Sequence, residues 1–183
     1  MTDVAGFRVT KYDPDRRLPN GTYSRDEWTS VSDIGRAYGG QVFNCADYLR
    51  VETSYVLAVQ RFLDAAHVGA LRVSDLQVNE IGVGRNPCEL VGEVREHIAS
   101  VVDGAEVRGK DLEWIIRLAL REVLWCRLKG EQGFYVHFGY DYYMYVGSEA
   151  LVAVPPQIPA GVFVEACESP YHGEEAASNE ESG

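Results

Sequence analysis

The run at residues 133–147, GFYVHFGYDYYMYVG, constrains this chain more than any other. Seven of its 15 residues carry aromatic rings. Two β-rich pieces, FYVHF and YYMYV, flank Gly139-Tyr140-Asp141, the pattern of a hairpin or of two consecutive strands. Just before it, Leu124-Trp125-Cys126-Arg127-Leu128 reads as a strand closed by a turn at 129–133, so a three-stranded antiparallel meander is expected. Tyrosine at this density has two uses. It caps a core with its hydroxyls in water, or it lines a recognition surface, where it supplies large contact area at low entropy cost.

Helices are expected earlier in the chain. Ser24 with Glu27 forms an S-x-x-E capping box and predicts a helix to about Arg36, ended by Gly39-Gly40. Asn44 predicts the next N-cap, with Asp47 in the first turn. From there Tyr48, Val51, Tyr55, Val59, Phe62, Leu63 and Ala66 recur every three or four residues, which predicts an amphipathic helix. Glu52, Gln60, Arg61 and Asp64 are assigned to its opposite, polar face. Residues 71–81 predict a strand broken at Ser74-Asp75. Residues 86–109 are ambiguous: their apolar spacing fits a helix, but Gly92 and several valines weaken it. Residues 110–121, KDLEWIIRLALR, predict a helix with Leu112, Ile115 and Ala119 inward. Phe7 to Tyr12 predicts a first strand, and Val162 to Glu165 a last one. Helices early and strands late favour an α+β fold: an antiparallel sheet packed against two to four helices. One domain over 1–170 is expected, followed by a disordered acidic tail at 171–183.

The net charge of −11 is unevenly distributed. Residues 165–183 hold six acids and no Lys or Arg, so the rest carries 22 acids against 17 bases. Nucleic-acid binding is not expected, since contact with a phosphate backbone needs a basic footprint, and a basic protein partner is permitted. The N-terminal sequence does not resemble a signal peptide, and no apolar run reaches the roughly 18 residues of a membrane span, so a cytoplasmic protein is expected. Cys45, Cys88, Cys126 and Cys167 show no CxxC pair and no His at ligand spacing. Thiols are expected for all four, with Cys126 a small buried hydrophobe. No metal or cofactor is implied.

Catalytic signatures are absent: there is no GxSxG, HExxH, P-loop or EF-hand pattern. Gly82-Val83-Gly84-Arg85-Asn86-Pro87 begins like a dinucleotide fingerprint but has Pro87 at the third glycine position, and reads as a turn. Trp114 and Trp125 are assigned to the core. His137, between Val136 and Phe138, reads as a strand residue or a bonded core histidine, with an acid–base pairing to Asp141 as the catalytic alternative. Asp141, at the bend between aromatic strands, is a turn residue in the plain reading. In the functional one it is a carboxylate ringed by tyrosines, able to accept an Arg or Lys from a partner.

Two segments, YSRDEWTSVSDIG at 23–35 and YVHFGYDYYMY at 135–145, resemble small acidic immunity proteins of bacterial polymorphic-toxin systems. The resemblance implies a cytosolic protein that binds a cognate toxin domain and blocks it, often through acidic and aromatic residues. On that reading the expected contacts are Asp33, Glu52, Tyr140, Asp141 and Tyr142. Acids would pair with basic groups of the toxin, and tyrosines would supply buried area. The alternatives are an enzyme built around His137 and Asp141, or a subunit of a larger assembly joined through the aromatic sheet.

Overall fold

A computed structural model of the chain describes residues 5–84, 88 and 91–172. Along the chain run β1 (Ala5–Thr10), the short hairpin β2 (Ala37–Tyr38) and β3 (Gln41–Val42), and the long helix α1 (Cys45–Ala66). Then come β4 (Leu71–Val78), α2 (Glu80–Gly84), α3 (Val91–Ile98), β5 (Glu106–Val107) and α4 (Gly109–Leu120). The chain closes with β6 (Leu124–Lys129), β7 (Tyr135–Phe138), β8 (Met144–Ser148) and β9 (Phe163–Ala166). Seven strands make one antiparallel sheet in the order β5-β4-β6-β7-β8-β1-β9. The fold is α+β, and β6-β7-β8 is the expected meander. No helix among the described residues is long and apolar enough to cross a membrane.

Strand alternation gives the sheet two different faces. On one, Val9, Val73, Leu124, Cys126, Leu128, Val136, Met144 and Val146 are buried in the main core, which also takes in the inner faces of α1 and α4. The other carries Arg8, Trp125, Arg127, Tyr135, His137 and Tyr145. Part of that face is covered by the segment after β9. Tyr171 meets His137 and Tyr145 edge-on, and His172 does the same to Tyr135. The packed chain therefore runs on through His172, past the expected boundary at 171. The rest of the expected tail lies outside the described residues.

The long helix and the broken strand follow the sequence closely. Asn44 Oδ1 accepts from the Asp47 amide at 3.0 Å, the predicted cap. In β4 the register with β6 shifts between Ser74 and Gln77, and Asp75 adopts φ 57°. Within 86–109, α3 forms at Val91–Ile98, while residues 86, 87, 89 and 90 lie outside the described residues. Of the motif expected to be a turn, residues 82–84 instead end the short helix α2, and 85–87 lie outside the described residues.

The expected helix at 24–36 does not form. Residues 24–30 are irregular, and a single 3-10 turn at Val31–Asp33 follows, capped by a box in which Ser30 and Asp33 replace the predicted Ser24 and Glu27. Thr29, Ser30, Val31 and Ser32 are poor helix formers whose hydroxyls compete for backbone groups. Trp28 decides the path by stacking on Phe43 at 4.4 Å and meeting Tyr142 edge-on at 5.0 Å. Gly39 and Gly40, expected to end a helix, turn the β2–β3 hairpin with φ 57° and 84°.

Cys45 and Cys88 are joined in a disulfide, with Cα atoms 5.6 Å apart, against the expectation of four thiols. The first residue of α1 lies beside the connection between α2 and α3, a proximity that spacing along the chain does not reveal. Cys126 is the expected buried thiol, its pKa pushed up to about 12 by burial. Trp114 and Trp125 are half-buried rather than core. Trp114 stacks on His97 at 3.8 Å, and Trp125 donates to the Phe138 carbonyl.

Candidate functional site

The β7–β8 connection is a tight turn with an unusual backbone. Tyr143 N donates to Tyr140 O at 3.1 Å, and the two central residues, Asp141 and Tyr142, both have positive φ, 55° and 62°. This is the primed geometry that suits a twisted hairpin, normally supplied by Asn-Gly. Asp tolerates the left-handed region, whereas a bulky Tyr there is an outlier. Packing holds it in place. The Tyr142 ring meets Trp28, Tyr48 and Tyr55 edge-on at 5.0 to 5.9 Å, and its carbonyl accepts from Tyr55 Oη at 2.7 Å. Tyr140, by contrast, is 85% exposed, and Asp141 beside it is exposed too. A rigid base thus presents a ring and a carboxylate to solvent.

A cleft lies on either side of this turn. The larger, about 890 Å³, is walled by Trp125, Phe138, Tyr140, Tyr143 and Tyr171, with Gln77, Asn79, Thr29 and Ser30 among its polar groups. Its charged lining residues are Glu122 and Asp141, both acidic. The smaller, about 230 Å³, is lined by Tyr12, Tyr23, Tyr143, Thr29, Asp26, Glu27, Asp141 and Arg25. Asp141, Tyr143 and Thr29 belong to both. Together the walls hold four carboxylates and one guanidinium.

The tyrosines of the smaller cleft belong to a larger polar network. Tyr12 stacks on Tyr23 at 4.9 Å and meets Tyr143 edge-on at 5.6 Å. Behind them Lys11 Nζ sits 3.8 Å from the Tyr12 ring centre and 4.3 Å from that of Trp28, and pairs with Glu27 at 3.2 Å. Burial drives the Lys11 pKa down to about 8, against the pull of Glu27. Burial first, then the neighbouring Tyr143, Asp141 and Glu27, lifts the Tyr12 phenol well above its usual range. Arg8 lies over Tyr143, Arg17 over Tyr23, and both guanidiniums converge on Glu165.

The five residues expected at a partner surface separate into two groups. Tyr140 and Asp141 are exposed and adjacent. Tyr142, Asp33 and Glu52 are buried, and each is engaged internally. Asp33 accepts from the Thr29 and Ser30 amides and from Arg36 Nη1. Glu52, placed on the polar face of α1 by its spacing, is 0% exposed. It takes a two-point ion pair from Arg121 at 2.6 and 2.8 Å and a third bond from Arg117 at 2.7 Å. A carboxylate can occupy that interior because two guanidiniums on α4 and its C-terminus arrive with it.

The acid–base pairing of His137 with Asp141 is not assembled. His137 is buried on the other strand face, stacked on Tyr135 at 4.6 Å with Nδ1 2.8 Å from Ser169 Oγ. It lines neither cleft, whereas Asp141 lines both. Tyr23, Asp26, Glu27 and Glu122 were not singled out as site residues. Asp26 and Glu27 sit in the segment assigned to a helix and Tyr23 directly precedes it, so no signal in the sequence placed them beside Asp141. Among the described residues no group of three or more His, Cys, Asp or Glu is arranged to hold a metal ion. The chain matches no family model, no curated protein and no solved structure.

Proposed function

We propose that this chain is a binding protein of the immunity type, one that occludes a cognate, basic toxin domain at the Tyr140–Asp141 tip and the clefts beside it. One observation carries the reading. An exposed tyrosine and an exposed carboxylate project from a turn whose next residue is locked into the core, between clefts walled by rings and dominated by acids. Rigid aromatic anchors lose little entropy on binding, and complementary charge speeds encounter and rejects wrong partners. The larger cleft is also wide enough to receive side chains of a partner rather than only touch them.

The test uses the tagged full chain as bait in extracts of its source cells. A basic protein retained at near-equal stoichiometry is expected, and co-expression with the chain should relieve any growth arrest that the captured protein causes. Tyr140→Ser combined with Asp141→Asn should weaken that complex by about a hundredfold, since each exposed anchor of this kind contributes 1 to 2 kcal/mol. Asn keeps the left-handed turn residue acceptable, so the fold is retained. A complex unaffected by the double change removes the tip from the contact. Recovery of the bait alone removes the partner.

A further inference from the structure

We propose that the outer edge of β9 pairs with itself: a second copy of this chain continues the sheet antiparallel there, with Val164 at the two-fold axis. The inference goes beyond the toxin-binding reading and does not rest on it. β9 is the last strand in the sheet order, with β1 on its inner side. Cys167 N donates to Gly6 O at 2.9 Å, so Gly6 and Cys167 form a hydrogen-bonded pair. Bonded and unbonded pairs alternate along an antiparallel ladder. Arg8–Glu165 and Thr10–Phe163 are therefore bonded pairs, and Phe7–Ala166 and Val9–Val164 are not. The N–H and C=O groups of Val164 and Ala166 thus face away from β1, and they meet no other described residue in a hydrogen bond.

Edge strands that stay single are guarded by a lysine, a proline, a bulge or shortness. β5, at the far edge, has two residues, one of them Glu106. β9 has none of these guards: its four residues, Phe-Val-Glu-Ala, hold register with β1 without a shift. Its one charge, Glu165, is turned to Arg8 and Arg17 at 2.8 and 2.6 Å. Phe163, by contrast, is 37% exposed. The register follows from these residues. Outward-facing groups must meet outward-facing groups, so Val164 pairs with Val164 of the second copy or with its Ala166. The latter sets Glu165 directly opposite Glu165, a like-charge pair. The former sets each Phe163 opposite Glu165 of the second copy, whose two guanidiniums place net positive charge beside the ring. That register is its own complement, which selects a second copy over an unrelated strand. The two-fold axis stands perpendicular to the sheet, so the two Tyr140–Asp141 tips point to opposite ends and both stay open.

The experiment follows the full-length chain by sedimentation equilibrium and amide hydrogen exchange, over a roughly hundredfold range of concentration. The mass is expected to rise from one chain to two and no further, because the pairing consumes the edge. The Val164 and Ala166 amides should exchange about tenfold more slowly in concentrated than in dilute protein, while those of Phe163 and Glu165, bonded to β1, stay slow in both. Val164→Pro removes an outward N–H and no bond to β1, and should give a monomer with unchanged circular dichroism. Phe163→Lys, at an exposed position, supplies the missing guard and should weaken the dimer about tenfold; it decides the matter if the proline variant does not fold. A single chain at every concentration overturns the proposal. So does growth past two chains, a dimer whose Val164 and Ala166 amides stay fast, or a dimer indifferent to Phe163→Lys. Amides at those positions that slow only when another protein is added assign the edge to that protein, and overturn the second copy.

Discussion

Lys11 holds a charge where the fold has little water to offer. Its side chain is 3% exposed, it lies against two aromatic rings, and its pKa falls to about 8 from an ordinary 10.5. The sign of the linkage follows. Between pH 8 and 10.5 the unfolded chain keeps the proton that the native chain has lost, so unfolding takes up a proton and stability rises with pH. The cost of the buried charge is fully present below pH 8. Above about pH 10 the opposite effect takes over, because burial raises the phenols of Tyr12, Tyr48, Tyr55 and Tyr142, and their ionisation favours the unfolded chain. Urea midpoints should therefore increase from pH 7.5 to about 9.5, by an amount on the order of 2 kcal/mol, and decline beyond pH 10. Lys11→Met should abolish the rise while keeping the decline. A rise of equal size in the variant would assign it to another group. Glu52 shows the complementary case, a buried charge that spacing along α1 assigned to solvent. Nothing in the local pattern of a helix reports that two arginines 65 and 69 residues away will meet it.

At the scale of elements, β7, β8 and β1 are fitted to one another by the absence of side chains. Tyr135 pairs in register with Gly147, which pairs with Gly6. A Cβ built on Gly147 would stand 2.5 Å from the Tyr135 ring, and one on Gly6 would stand 2.8 Å from the Cys167 carbonyl. The ring thus lies flat across two glycines, under the segment that follows β9. Gly147→Ala should destabilise by about 1–3 kcal/mol through overpacking, measured as a lowered urea midpoint at unchanged slope. Adding Tyr135→Ala should bring less than the sum of the two single losses, since the clash disappears with the ring. Additive losses would show that the glycine serves backbone freedom instead. The strands themselves were legible because alternation and aromatic content are local signals, and so were α1 and α4 from their apolar spacing. The 24–36 segment was not. A capping box starts a helix only where an apolar stripe can continue it, and here Trp28 is drawn into a cluster formed by Phe43 and Tyr142. The same misreading hid Asp26 and Glu27 from the candidate site, although Asp141 and Tyr140 stood out at once.

For the whole molecule, long-range closure supplies what the local pattern lacks. β1, from the start of the chain, is inserted between β8 and β9, so the sheet is complete only when the two ends of the chain meet. The Cys45–Cys88 disulfide adds a second closure, tying the first turn of α1 to the connection between α2 and α3 across 43 residues. Closing a loop of that length removes chain entropy from the unfolded state worth about 4 kcal/mol in the simplest account. The bond persists in an oxidising setting, and a reducing one would present the same two residues as thiols. Protein purified without reductant and then unfolded should therefore titrate two thiols, Cys126 and Cys167, and four after reduction. Reduction, or Cys45→Ser with Cys88→Ser, should lower the urea midpoint while leaving the circular dichroism of the folded state unchanged, because the seven-stranded sheet and its core are assembled from residues that the bond does not join. Four thiols titrating in the unreduced protein would show that the two sulfurs are neighbours without a bond. The cleft residues would then be unaffected, since neither cysteine lines them.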